Sequence, residues 1–235
     1  MKFKILTLFP EMFPGPMNHS IIGKALKKKK FHLETINIRD FSINKAKTVD
    51  DTPFGGGAGM IMKPDILQNA LTFAKKGVKK NCKIFSLSPG GKKITQKFIK
   101  NLVNSNEIIL ICGRYEGIDQ RFIDYNDIEE VSVGDYILSG GEIASFILID
   151  ACVRLIPEVL GNSESLRSES FHDCLLEYSQ YTKPSIWKKL KVPEILLTGN
   201  HRKISDWRLK NSLEKTKKIR PDLYNLFVKE KKRKL

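Results

Sequence analysis

Residues 111–122 read ICGRYEGIDQRF: an arginine and a glutamate stand between Gly113 and Gly117, directly after the apolar run at 108–112. Charges held in a glycine-bounded loop suit polar recognition, because glycine tolerates positive φ and lets the backbone approach a ligand closely. Two further stretches share this character, LSPGGKK at 87–93 and VSVGDYILSGGE at 131–142. In an open parallel sheet, ligands bind beyond the carboxyl ends of the strands. Three glycine-rich loops at consecutive strand ends therefore point to a nucleotide-like base held by main-chain hydrogen bonds. None of them is a Walker A loop, and no G-x-G-x-x-G follows the first strand. The usual ATP and NAD readings thus lack their phosphate cradle.

The other reactive side chains do not group. Cys82, Cys112, Cys152 and Cys174 are scattered without a C-x-x-C pair, three of them within apolar runs. They read as small core residues in a reducing compartment rather than as a disulfide frame or zinc site. His19, His32, His172 and His201 show no metal-ligand spacing, so no structural metal is expected.

The elements that must position the loops follow from periodicity. FKILTLF (3–9), FHLETINIRDF (31–41), CKIFSLS (82–88), 108–112 and a short run near 129–133 read as strands. A basic, roughly helical stretch precedes the second. Pro64 suits the first turn of a helix carrying Ile66, Leu67, Ala70, Leu71 and Ala74, and Thr95 can cap another carrying Phe98, Ile99, Leu102 and Val103. EIASFILIDACVRLI (142–156) completes the set, ended by Pro157. This alternation predicts an α/β fold with a mostly parallel, doubly wound sheet.

The segment EVLGNSESLRSES (158–170) has the composition of an exposed, mobile connection. Beyond it the character changes. From His201 to Leu235 there are 13 Lys or Arg against 4 Asp or Glu, a balance of 13 − 4 = +9. Trp207, Leu209, Leu213, Ile219, Leu223, Leu226 and Phe227 give these residues an apolar stripe, so basic amphipathic helices are expected, with a disordered KEKKRKL tail. The whole chain of 235 residues carries a net charge of +15, which favours a polyanionic partner, nucleic acid first and an anionic membrane surface second. No segment approaches the ~18 uninterrupted apolar residues of a membrane span, and the N-terminal apolar run meets Pro10 and Glu11 too early for a signal peptide. A cytoplasmic protein is expected.

The motifs VDDTPFGGGAGM (49–60), LSPGGKK, CGRYEGID, VGDYILSGGE and LTGNHRKISDWR (197–208) resemble, in this order, the tRNA (guanine-N1)-methyltransferase family of the trefoil-knotted SPOUT superfamily. The resemblance runs from Met1 to about Leu226. It implies a deep knot in the sheet domain, S-adenosylmethionine as methyl donor, a homodimer with the active site across its interface, and tRNA as substrate. It also implies a knotted domain at 1–160, a linker at 161–172 and a basic helical tRNA-binding domain at 173–235. By position, Leu87, Ser88 and Pro89, then Gly113 and Glu116, then Ser132, Val133, Gly134, Asp135, Tyr136, Ile137 and Leu138 with Gly140 and Gly141 would line the cofactor pocket. A local ion pair of Glu116 with Arg114 is the competing reading for that carboxylate. Gly140 is expected to need a backbone φ that side chains disfavour.

The family's general base is an aspartate before SF; this chain has SESF, so the resemblance carries the role to Glu169. Arg154 matches the arginine that steadies charge on guanine O6, although Asp150, four residues earlier, could pair with it. Asp50, Ser165, His201, Arg202, Lys203 and Arg208 match positions expected to contact tRNA. Ala46 stands where family members often carry His, and any contact by that His is absent or displaced here. The resemblance leaves open whether Mg²⁺ assists. Two other readings compete: a non-catalytic RNA-binding protein that relies on its basic helices, and a knotted methyltransferase acting on another RNA position. The first does not require the three loops or the linker carboxylate; the second does not predict the 49–60 and 197–208 motifs.

Overall fold

The computed structural model describes residues 1–78, 81–161 and 169–233. The chain divides into two compact units, Met1–Gly161 and Asn162–Leu235. The first holds a five-stranded parallel sheet: β1 (Lys2–Thr7), β2 (His32–Asn37), β5 (Cys82–Lys93), β6 (Glu107–Cys112) and β7 (Glu129–Ser132), ordered β2-β1-β6-β5-β7. Two short strands outside it, β3 (Asp50–Asp51) and β4 (Ile61–Met62), form an antiparallel pair.

The central strand β6 explains the sheet's two-sided burial. Alternate residues of a strand face opposite sides. Ile108, Leu110 and Cys112 pack among residues of α1 (Ser20–Lys27), α3 (Gln96–Leu102) and α5 (Gly141–Val153). Ile109 and Ile111 pack on the other side with α2 (Pro64–Ala74) and α4 (Gln120–Tyr125). All five residues are fully buried, so the strand has no polar face to alternate with.

Local chemistry sets the helix starts as expected in two places. Pro64 occupies the first turn of α2. The Thr95 hydroxyl accepts from the Phe98 N–H at 3.2 Å and caps α3. Elsewhere the structure departs from the sequence reading. The stretch 87–93 is not a loop beyond a strand end: β5 runs through it to Lys93, with a register shift between Leu87 and Lys92, both of which pair with Val131. Gly91 makes this bulge fit, since a Cβ there would stand 2.4 Å from the backbone of Glu130 and Val131. α5 ends at Val153, not 156, and the chain continues in tight i→i+3 turns to Ile156. β2 stops at Asn37, whose side chain accepts from the Arg39 N–H and starts a 3₁₀ turn over Ile38–Phe41. α4, capped by Asp119 on the Arg121 N–H, was not anticipated, because six residues carry too short a periodic signal.

Among its described residues the second unit has two α-helices, α6 (His201–Ile219) and α7 (Pro221–Arg233), and a small hairpin of β8 (Ile186–Trp187) with β9 (Leu190–Lys191). The expected disordered tail is instead helical through Arg233. The expected apolar stripe is only partly covered, with Leu209, Ile219 and Leu226 about half exposed. The buried positions of α6 are polar, Ser212 and Thr216. Polar side chains of α6 serve a strip of extended chain: the Thr216 hydroxyl accepts from the Leu176 N–H at 2.8 Å, and Asn211 Oδ1 accepts from the Ser179 N–H at 2.8 Å. Lys215 donates to the Glu177 carbonyl at 2.9 Å.

Truncating Leu110, wholly buried in the central strand, leaves a cavity that a parallel sheet covered on both faces cannot collapse. Leu110→Ala should lower unfolding free energy by about 2–5 kcal/mol, and Thr95→Ala by about 1 kcal/mol; urea titration of both variants checks the ranking.

Candidate functional site

The carboxyl ends of β6 and β7, with the bulged middle of β5, open onto a cavity of about 320 Å³. Ser86 to Pro89 form one wall, Gly113 to Ile118 a second, and Glu130 to Gly134 with Tyr136 to Gly141 a third. Three stretches far apart in sequence meet there because the strand order places β5 between β6 and β7. The volume falls in the range of small-molecule and nucleotide sites, roughly 300–1,000 Å³.

Of the fourteen residues assigned to the pocket from sequence, the structure gathers all but Asp135 around this cavity. Asp135 belongs to the same loop but pairs with Lys93 at 2.7 Å, well exposed to solvent. The turn before it is closed internally: the Ser132 hydroxyl donates to the Gly134 carbonyl at 3.0 Å and accepts from the Gly134 N–H at 3.2 Å. Tyr136 and Leu138 remain partly open to the cavity side.

Arg114 does not pair with Glu116. Its Nε lies 2.8 Å from Oε2 of Glu142, a carboxylate with no solvent exposure, and a second guanidinium nitrogen donates to the Ser139 carbonyl at 3.0 Å. The Nε contact is off the hydrogen-bonding axis, so its attraction is that of opposite charges brought together in a dry setting. The Thr7 hydroxyl donates to Glu142 Oε1 at 2.7 Å. The guanidinium lies over the Phe9 ring, 4.4 Å from its centre. Glu116 is left to the cavity wall, where its N–H donates to the Met60 carbonyl at 2.9 Å.

That last bond links the cavity to the 49–60 motif. The Met62 N–H donates to the Gly117 carbonyl at 3.0 Å, and Met62 follows Ile61 in β4, whose partner strand carries Asp50. The neighbouring Asp51 has its carboxyl held below the usual range, first by the Thr52 N–H and then by Lys63. Asp50 is thus tied to the cavity wall through one two-residue ladder.

The backbone at Gly140 has φ 169° and ψ 175°, extended geometry open to any residue. The expected φ requirement is therefore corrected: space excludes a side chain here, since a Cβ would stand 2.3 Å from Arg114 Nε. Next to it, the Gly141 N–H donates to the Gly113 carbonyl at 3.0 Å.

Arg154 is half-buried at the C-terminal cap of α5, where its own N–H bonds the Asp150 carbonyl. Glu169 is half-buried in the second unit, and its carbonyl accepts from the His172 N–H at 3.2 Å. The chain doubles back just beyond it, with Phe171, Asp173 and Cys174 all at positive φ. Ser165 lies outside the described residues. His201, Arg202, Lys203 and Arg208 occupy the first half of α6 and are exposed, the helix being capped by Asn200 on the Lys203 N–H. The Arg208 guanidinium stacks 4.8 Å from the Tyr178 ring centre.

The two fully buried thiols offer no nucleophile. Burial pushes the Cys152 thiol up to about 12, and Cys112 beneath the cavity wall well above its ordinary value. Among the described residues no three His, Cys, Asp or Glu side chains come together as metal ligands. Among them, too, no helix is long and apolar enough to cross a membrane.

A parallel α/β unit with a nucleotide-sized cavity lined from three adjacent strands, joined in one chain to a strongly basic helical unit, defines an α/β protein with a basic helical appendage. The chain belongs to the tRNA (guanine-1)-methyltransferase TrmD family, whose model matches residues 1–226. It is 52% identical over 223 residues to the tRNA (guanine-N(1)-)-methyltransferase of Neorickettsia sennetsu, covering 95% of this chain and 98% of that protein. The protein of the same name from Wolbachia pipientis wMel is 51% identical over 229 residues, 97% of each chain. That of Rhodospirillum rubrum is 48% identical over 224 residues, covering 95% of this chain and 92% of the other.

Because the obstacle at Gly140 is a side chain pinned by a buried charge, its cost should depend on that charge. Gly140→Ala should lower the melting temperature in the wild-type background and much less in an Arg114→Ala background, a coupling that a double-mutant cycle measures. Equal losses in both backgrounds would show that the backbone, not Arg114, excludes the side chain.

Proposed function

We propose that this protein is an S-adenosylmethionine-dependent methyltransferase acting on N1 of the guanine immediately 3′ of the tRNA anticodon, where the methyl group maintains the reading frame. The observation that carries the reading is the convergence of the three glycine-rich stretches on one cavity in a chain of this family. The cavity's volume fits a nucleoside-containing ligand, and thirteen of the assigned residues stand in its wall. We take the enzyme to be cytoplasmic and its sheet unit to carry the trefoil knot. We also take it to be a homodimer in which the linker carboxylate of one subunit serves the loops of the other. Ile143 and Ile147, four residues apart on α5 and nearly half exposed, offer apolar surface for such an assembly.

When bound, S-adenosylmethionine supplies an electrophilic methyl group. The protein's own residues then have three tasks. The cavity walls would hold the donor and exclude water, with Tyr136 and Leu138 as apolar surfaces. Glu169 accepts the proton that guanine N1 must lose as its nitrogen bonds to the methyl carbon, which requires hydrogen-bond reach of about 2.6–3.2 Å. Arg154 places positive charge against O6, where negative charge grows as N1 is deprotonated. The basic face of α6 holds the tRNA backbone, and phosphate contacts of that kind position the molecule without reading sequence.

Nucleoside analysis of tRNA incubated with the protein and labelled S-adenosylmethionine should yield 1-methylguanine at that one position. A methyl group on ribose, or on guanine elsewhere, would overturn the substrate assignment. Glu169→Gln should lower turnover by about 10²–10⁴ with cofactor affinity unchanged, whereas Glu169→Asp retains activity; wild-type turnover by the glutamine variant would remove Glu169 as the base. Charge reversal at Arg202, Lys203 and Arg208 should weaken all tRNAs alike and flatten the salt dependence of binding, measured by filter binding across ionic strengths.

A further inference from the structure

The most confined charge at the cavity belongs to a residue that neither contacts the space nor figures in the proposed chemistry. Glu142 opens the first turn of α5 and is sealed from solvent. Both of its carboxylate oxygens are engaged, one by the Thr7 hydroxyl and one by Arg114. Arg114 does line the cavity, and its side chain is 17% exposed. It reaches the Ser139 carbonyl at 3.0 Å, the Phe9 ring face and, more loosely, Met12 Sδ at 3.7 Å. Thr7 closes the chain of contacts, because its hydroxyl also accepts from the Phe9 N–H at 2.9 Å. Four segments therefore converge on one ion pair: the end of β1, the 113–117 loop, the 137–141 loop and the start of α5.

We infer that Glu142 is the positioning residue of the cofactor cavity, holding the 113–117 and 137–141 loops in register through Arg114. The inference rests on the reading that this cavity binds S-adenosylmethionine. A buried carboxylate fixes its partner more strictly than a surface one, since a displaced guanidinium leaves a bare charge in a dry site. The rotamer of Arg114 is thereby determined, and with it the carbonyl of Ser139, which directly precedes the Gly140–Gly141 pair. Those glycines have no side chains with which to set their own position. Arg114 also fills the space that a Cβ of Gly140 would take, so the guanidinium and the Gly140 backbone are packed directly together.

A merely structural ion pair would contribute stability and nothing more, and the two roles separate experimentally. Glu142→Gln keeps the shape and removes the charge. Its S-adenosylmethionine dissociation constant by calorimetry should rise on the order of 10- to 100-fold, the scale of an ångström-sized misplacement, with tRNA affinity unchanged. Amide exchange at Gly140 and Gly141 should quicken relative to the amides of α3. Arg114→Met/Glu142→Met, a neutral pair of similar bulk, should recover the melting temperature while leaving cofactor affinity low. Recovery of both would reduce the pair to a structural role and overturn the inference, as would wild-type affinity in Glu142→Gln. Should those variants fail to fold, Thr7→Val loses only the hydroxyl of the network. It should still weaken cofactor binding by roughly 10-fold, the lower end of the value of one hydrogen bond to a charged group, and unchanged affinity there would sink the idea equally. If the wild-type protein itself binds no S-adenosylmethionine, the proposed function fails separately. The exchange rates at Gly140 and Gly141 then still decide whether Glu142 positions the loop.

Discussion

A carboxylate with no access to water, set at the carboxyl edge of a parallel sheet, is the constraint on which the site depends. Burying the Glu142 charge alone would be prohibitive, so the fold must bring a cation to it and keep it there. Arg114 is available only because the apolar strand β6 ends one residue short of Gly113 and the chain turns. The charged residues in that glycine loop thus have separate destinations. The arginine goes inward to seal the helix α5 against β1, and the glutamate stays on the cavity wall.

The opposite side of the same unit shows a parallel solution with a different purpose. Lys4 in β1 is nearly buried, 3.3 Å from Glu107 at the start of β6, and its ammonium donates to the Ala74 carbonyl at 2.6 Å. That carbonyl belongs to the last turn of α2, where a cation complements the helix dipole. This pair fastens a helix end and lines no wall of the cavity at the other strand ends. Two buried ion pairs in one domain therefore differ in consequence according to what surrounds them: one is attached to rigid elements, the other to loops that glycine leaves free.

In the second unit polar side chains on a helix take the place of a large apolar core. Asn211, Lys215 and Thr216 each satisfy a backbone group of the extended strip 176–179. Such bonds satisfy buried backbone groups while leaving the remaining faces of α6 free for lysine and arginine. The basic character seen in composition is thus displayed outward rather than consumed in packing.

Much of the sheet unit was legible in the sequence alone. The two-sided burial of β6, the caps at Pro64 and Thr95, and the three glycine-rich stretches all follow from local pattern and residue type, which near neighbours in sequence largely decide. The family motifs named the cavity residues through their order and spacing. What local pattern does not contain is which partner a charge will find. Arg114 and Glu142 are 28 positions apart, and the partner that sequence offered for Arg114 was the nearer Glu116. Only the adjacency of β6 to the start of α5, fixed by long-range strand order, decided for Glu142. The same holds for Gly140, whose need for a bare α-carbon comes from the guanidinium above it and not from its own torsion angles. It holds for 87–93, where pairing with β7 drew a glycine-rich stretch into a bulged strand. Sequence determined the elements and the kinds of chemistry available; tertiary structure chose the pairings, because electrostatic and steric partners act through space and across any length of chain.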